Sequence, residues 1–219
     1  MTRTRAWFAA AAVSGSFFGA LLIVNRLGLT NPLDRAVNEW LDTHDPNRFD
    51  PIAKTISLTG ETTVVLVATL GLAILLWYRG PRLAWLALSV VGLTGVVEIV
   101  AKQPLWPPPS PDQYLRAALD AFAGAEVGSS FPSGHVARVV CLALIAAALS
   151  SRSGWRAAMA ALIVLAVAAR TYAGGHTITD TLGGAALGLS AGSAGVAWLR
   201  WREARRGFTA PDGRARTHP

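Results

Sequence analysis

A single cysteine, Cys141, is all the thiol chemistry this 219-residue chain contains. An internal disulfide is therefore excluded, and no cysteine spacing of a metal site is present. Cys141 reads as a small core residue of a helix. Charge is scarce as well: Asp, Glu, Lys and Arg make up 15% of the residues, against 52% hydrophobic. That is too little charge for an ordinary soluble domain and too much for one uninterrupted membrane anchor. No segment repeats, so a repeat array is excluded too.

What the chain does have is a series of apolar runs, each near the roughly 17–25 residues that cross a bilayer as a helix. Six are read, at about 6–24, 62–78, 83–101, 135–150, 156–173 and 179–199. The predicted fold is all-α, a bundle of six transmembrane helices over residues 1–200 followed by a basic tail, 201–219. Arg3 and Arg5 precede the first run, as they would in a signal peptide. No small-x-small cleavage site follows it, so a retained helix is predicted.

The net charge of +7 is unevenly placed. Six spans put the N-terminus, the turns at 79–82 and 151–156 and the C-terminal tail on one side. That side holds twelve arginines and two acids, a net +10; the remaining eight bases and eleven acids give −3. Arginine excess in short loops marks the cytoplasmic face. The basic tail is thus read as an orientation signal that touches anionic lipid, and nucleic acid is not a predicted partner. The expectation is a multi-pass plasma-membrane protein with both termini in the cytoplasm.

The connections 25–61 and 102–134 then lie outside. Between Asn31-Pro32 and Asp45-Pro46, the residues Leu33, Ala36, Val37, Trp40 and Leu41 recur at helical spacing. They predict a short amphipathic helix that lies at the interface or packs on the bundle. The second connection opens with prolines 104, 107, 108, 109 and 111, which favour extended backbone. A short helix is predicted at 112–123, then a flexible approach through Gly124, Gly128, Ser129 and Ser130. Small residues from Gly183 to Gly195 suit close packing of the last span.

Two histidines stand at the mouths of apolar runs on this outer side. His135 ends the tetrapeptide Pro132-Ser133-Gly134-His135, just before the fourth run. Ser133 is a plausible N-cap, and free amides at a helix start form an anion site. Gly134 would let a phosphate approach the backbone, and His135 is placed to protonate a leaving oxygen. His176 lies six residues after Arg170 and four before Asp180. Four residues is one helical turn, so Asp180 can orient the imidazole while the other ring nitrogen attacks. The plainer alternative is an Arg170–Asp180 ion pair with His176 a spectator. Ionisable groups at such depth are expensive, which favours function.

With these residues the chain resembles the type 2 phosphatidic acid phosphatase (PAP2) superfamily, which includes the vanadium haloperoxidases. That family carries Lys-x6-Arg-Pro, Pro-Ser-Gly-His and Ser-Arg-x5-His-x3-Asp. The second motif is complete at 132–135. The third is present at 170–180, with Ala169 for its serine. In the first, Lys102 matches, while Pro109 and Ser110 hold the arginine and proline positions. The resemblance implies that His176 forms a phosphohistidine, Asp180 orients it and His135 is the general acid. Lys102, Ser133, Gly134 and Arg170 would bind phosphate oxygens. It implies neither cofactor nor metal. Two arginines are candidate replacements for the missing clamp: Arg116 in the outer loop, and Arg138, one turn beyond His135. Arg138 is also placed to pair with Glu98, one turn deeper than Lys102, and that structural pair is the preferred reading.

The implied activity is hydrolysis of a lipid phosphate ester or diphosphate at the outer face. A polyprenyl diphosphate comes first, with phosphatidic acid and phosphatidylglycerol phosphate next. The alternatives are a non-catalytic lipid-binding or transport protein on the same scaffold, and a lipid phosphotransferase.

Overall fold

The computed structural model describes residues 2–44, 49–78, 80–104, 109–122 and 128–208. The predicted Asp45-Pro46 turn, the run 105–108, Gly124 and tail residues 209–219 lie outside the described residues. Nine α-helices and no strand occur among the described residues. They are α1 (Thr2–Arg26), α2 (Asn31–His44), α3 (Asp50–Ser57), α4 (Thr62–Trp77), α5 (Pro81–Lys102), α6 (Pro111–Phe122), α7 (Gly134–Ala148), α8 (Ser153–Tyr172) and α9 (Ile178–Phe208). A 3-10 turn, Leu58–Gly60, joins α3 to α4.

Every predicted apolar run is helical, but not every helix is a full span. Four are long and apolar enough to cross a membrane: α1, α5, α8 and α9. A fifth arises if α3, the 3-10 turn and α4 count as one span bent by 52°. The fourth predicted span is α7, which has only 15 residues. At 1.5 Å per residue that is about 22 Å, against roughly 30 Å of hydrocarbon. Packing explains its brevity. Eight of its residues are buried, so α7 is the core strut of the bundle rather than a lipid-facing helix. α9 continues to Phe208, past the predicted end of the last span.

The long last helix packs along α1 on one side and α7 on the other. Its small residues make this possible. A Cβ at Gly184 would overlap the Ser133 carbonyl, and one at Gly188 would overlap the Ala137 carbonyl. These glycines are four apart, so they form one stripe on which the α7 backbone rests. Toward α1, the Ser190 hydroxyl donates to the Ala11 carbonyl at 2.9 Å, satisfying a polar group at the helix contact.

α2 is the amphipathic helix expected in the first outer connection, but it faces the other way from a helix packed by its apolar stripe. Leu33 and Trp40 are exposed, and the buried residue is Asp34. The outward apolar face suits an interface, while an acid points into the protein. α6 starts at a reciprocal cap. The Ser110 amide donates to Gln113 Oε1 at 2.7 Å, and the Gln113 amide donates to the Ser110 hydroxyl at 3.4 Å. Ser110 thus opens a helix at the place where the family motif carries its proline.

Candidate active site

The turn before α7 is buried and tied through its backbone to the start of α9. The Phe131-Pro132 peptide is cis, and Phe131, Pro132 and Ser133 are buried. The Ser133 amide donates to the Asp180 carbonyl at 3.0 Å, linking this turn to the start of α9. Ser133 occupies the N-cap position of α7, as predicted, but its hydroxyl makes no capping bond. The hydroxyl is buried and has no hydrogen-bond partner among the described residues. Buried hydroxyls normally have one, so this atom is one to which a phosphate oxygen would bind at little cost. Gly134 follows with the Glu98 carboxylate packed against its Cα, where any Cβ would collide.

His176 and Asp180 meet as the four-residue spacing predicts. His176 Nδ1 lies 3.3 Å from Asp180 Oδ2. The same carboxylate oxygen accepts the Thr177 amide at 3.1 Å, which fixes it at the N-terminal end of α9. With Nδ1–H donating to Asp180, the Nε2 lone pair points away from the acid. A ring nitrogen held so is a nucleophile or base. The 3.3 Å separation is long for a charge-assisted bond, and such bonds commonly tighten when substrate binds. Gly174 turns the chain between α8 and His176 with φ +71°, a conformation that favours glycine.

One cation adjoins this pair, and two more meet at Glu98, behind Gly134. Arg170, in the last turn of α8, donates to the Ser57 hydroxyl at 3.2 Å, and its guanidinium lies against Gly175, beside His176. Lys102, at the end of α5, is 3.1 Å from Glu98 Oε1. Arg138 is 3.0 Å from Glu98 Oε2, so the predicted Glu98–Arg138 pair is formed, with Lys102 as a third member. Arg170, Arg138, His176 and Lys102 all lie near enough to His135 to act on it electrostatically. His135 itself sits against the 3-10 turn: a Cβ at Gly60 would lie 2.8 Å from its Cβ.

The structure therefore gathers Lys102, Ser133, Gly134, His135, Arg170, His176 and Asp180 around the mouths of α5, α7 and α9. Arg138 is brought to the same cluster but held by Glu98. Arg116 is not: it is exposed on α6 and is not bonded to the cluster among the described residues. No group of three or more His, Cys, Asp and Glu side chains is placed to hold a metal ion among the described residues.

Sequence reading missed α3 and its 3-10 turn, which supply Ser57 and Gly60. It missed Asp34, whose carboxylate accepts the Thr179 amide at 3.1 Å and the Thr179 hydroxyl at 2.8 Å. It also missed Arg26, which donates to the carbonyls of Ala101 and Gln103, the latter at 2.6 Å. The only signal for Asp34 was an acid in the first turn of an amphipathic helix.

Among solved structures, the fold is similar to a transmembrane PAP2-type phosphatidylglycerolphosphate phosphatase from Bacillus subtilis. The TM-score is 0.67 at 20% identity, over 88% of this chain and 96% of that one. No curated protein matches the sequence. The sequence model of the PAP2 superfamily matches residues 82–204, a stretch that runs from the start of α5 into the end of α9 and contains every motif residue above. With more than half of its length matched, and the paired histidine and aspartate assembled beside the Pro-Ser-Gly-His turn, the chain belongs to the PAP2 superfamily.

Proposed function

We propose that the protein is an integral-membrane lipid phosphate phosphatase that works through a phosphohistidine. The observation that carries this reading is the His176–Asp180 pair at 3.3 Å, set between the Arg170 guanidinium and the turn of Ser133 and Gly134. His176 Nε2 attacks phosphorus, and the bond to the leaving alcohol or phosphate breaks. His135 gives the leaving oxygen its proton. Water then attacks the phosphohistidine, passes a proton to His135 and releases inorganic phosphate. Arg170, Lys102, the Ser133 hydroxyl and the amides at the start of α7 neutralise the equatorial oxygens. Preorganised donors of this kind supply much of the rate of such reactions.

The substrate is a phosphate carried on a lipid. An apolar groove of about 250 Å³ between α4 and α5 supports this, because Glu98 and Arg138 line it together with Val65, Leu66 and Val91. A tail lying there would leave its headgroup beside the cations. A polyprenyl diphosphate is the first substrate to test. Phosphatidic acid and phosphatidylglycerol phosphate follow, the last being what the Bacillus subtilis protein of similar fold is described as acting on. Six crossings, with α7 as a short sixth and the site on the extracytoplasmic face, are part of the same proposal. The arginine-rich ends of α1 and α9 support it through the positive-inside rule.

One observation favours a second reading. Glu98 engages Lys102, and Pro109 stands where the family carries an arginine, so two phosphate clamps are weakened. A lipid-binding or transport protein would tolerate that; an intact nucleophile, orienting acid and general acid are what it would not need. Phosphate release from the three lipids by purified protein in detergent with EDTA separates them. We expect release by the parent protein and none by His176→Ala. Silence of the parent on all three lipids would give the field to the binding protein.

A further inference from the structure

The corner between α1 and α2 touches none of the family motifs in sequence, yet two of its side chains reach both ends of the site. Asp34 is 7% exposed, deep for a carboxylate on an otherwise exposed helix. Its two oxygens are both spent on Thr179: one accepts the amide, the other the hydroxyl. Thr179 is the second residue of α9 and the neighbour of Asp180. The first amides of a helix have no partner within it, so Asp34 is an N-cap delivered from 145 positions away. The cap fixes the turn that carries Asp180 and, through it, His176.

Arg26 does the converse at α5. It donates to the carbonyls of Ala101 and Gln103, which flank Lys102. The Lys102 carbonyl between them accepts the Ser129 amide at 3.1 Å. Gly128, with φ +67°, is pressed so close to that carbonyl that a Cβ would overlap it. The C-terminal carbonyls of α5 are thus closed by a side chain from the corner and by the Gly128–Ser129 segment that leads to the Pro-Ser-Gly-His turn. Arg26 and Asp34 are joined by a tight turn in which Asn25 Nδ2 donates to the Thr30 hydroxyl at 3.3 Å and Gly28 has φ +70°.

We infer that this corner is a positioning clamp for the reaction: Asp34, by capping α9, aligns the His176–Asp180 pair, and Arg26, by closing α5, places Lys102 opposite it. The inference rests on the phosphatase reading. Neither residue touches substrate in this account. They act through the residues they hold, and they hold different ones, so their loss has different kinetic consequences. Misaligning the nucleophile lowers kcat, whereas displacing a phosphate-binding lysine weakens substrate binding.

The test uses full-length protein in detergent, with the lipid phosphate that the parent hydrolyses best. Asp34→Ala is expected to lower kcat by at least tenfold with KM within about threefold. Asp34→Asn, which keeps an acceptor for the Thr179 amide, should recover most of that loss. Arg26→Ala is expected to raise KM by at least fivefold with a smaller effect on kcat. Hydrogen exchange gives a readout that needs no turnover: Asp34→Ala should speed exchange at residues 177–181 while α7 and α8 stay protected. Should Asp34→Ala fail to fold, Thr179→Ala removes the hydroxyl half of the cap and is expected to lower kcat alone. Equal kinetics in all variants would overturn the clamp, as would parallel losses of kcat and KM that track the melting temperature. If the parent is inactive on every lipid, the phosphatase reading falls; unchanged exchange at 177–181 would then remove the cap as well, and faster exchange would leave it standing as a structural device.

Discussion

Glu98 is the residue on which the site's electrostatics turn. It is 5% exposed and faces Lys102 at 3.1 Å and Arg138 at 3.0 Å. One buried and two half-buried charges in one cluster are tolerable only because each has a partner, and removing the shared one strands two cations. Replacing Glu98 by Gln is expected to cost on the order of 3 kcal/mol, a drop of several degrees in melting temperature in detergent. Unchanged melting would contradict the pairing. This pair was legible in the sequence, because Glu98 and Arg138 each lie one turn from a motif residue at matching depth. Asp34 and Arg26 were not. Their bonds reach across 145 and 75 or more positions, and nothing in their own neighbourhoods marks them.

Apolar length made α1, α5, α8 and α9 readable, since a bilayer demands long uninterrupted runs. It also found α7, a shorter run whose length apolarity alone does not fix, because burial inside protein favours an apolar run and sets no minimum length. It gave no sign of α3, eight residues with a proline, a lysine and a threonine, whose place depends on packing against α8. The stripe of small residues on α9 was readable, and its role can be checked. Helix propensity alone would favour Ala over Gly at 188 by about 1 kcal/mol. The Ala137 carbonyl leaves no room for a Cβ, and a backbone atom cannot rotate aside. Gly188→Ala is therefore expected to destabilise the protein by about 1–3 kcal/mol, read as a lower melting temperature. A rise would mean that α7 and α9 are less tightly joined than described.

For the whole molecule, charge makes a claim that packing does not. Trp7, Trp198 and Trp201 lie under the guanidinium groups of Arg200, Arg202 and Arg205, so aromatic and cationic side chains cluster at the shared end of α1 and α9. Such belts sit at a membrane surface, and in the proposed topology the arginine excess assigns this one to the cytoplasmic face. The same proposal has α2 and the site facing outward. Cys141 is buried, which makes single-cysteine labelling straightforward. In intact cells, Glu39→Cys on the exposed face of α2 should react with a membrane-impermeant maleimide. Ser151→Cys, between α7 and α8, should react only after permeabilisation. The reverse pattern would invert the topology and move the substrate to the inner leaflet.

The central claim is that His176 takes the phosphoryl group. Brief incubation of the protein with the lipid phosphate it hydrolyses, quenching in alkali, and mass spectrometry of the peptides test it directly, because phosphohistidine survives base. The account predicts a phosphate on His176 in the parent protein and none in His176→Ala. Continued phosphate release by His176→Ala, or a phosphate found on a different residue, would contradict it.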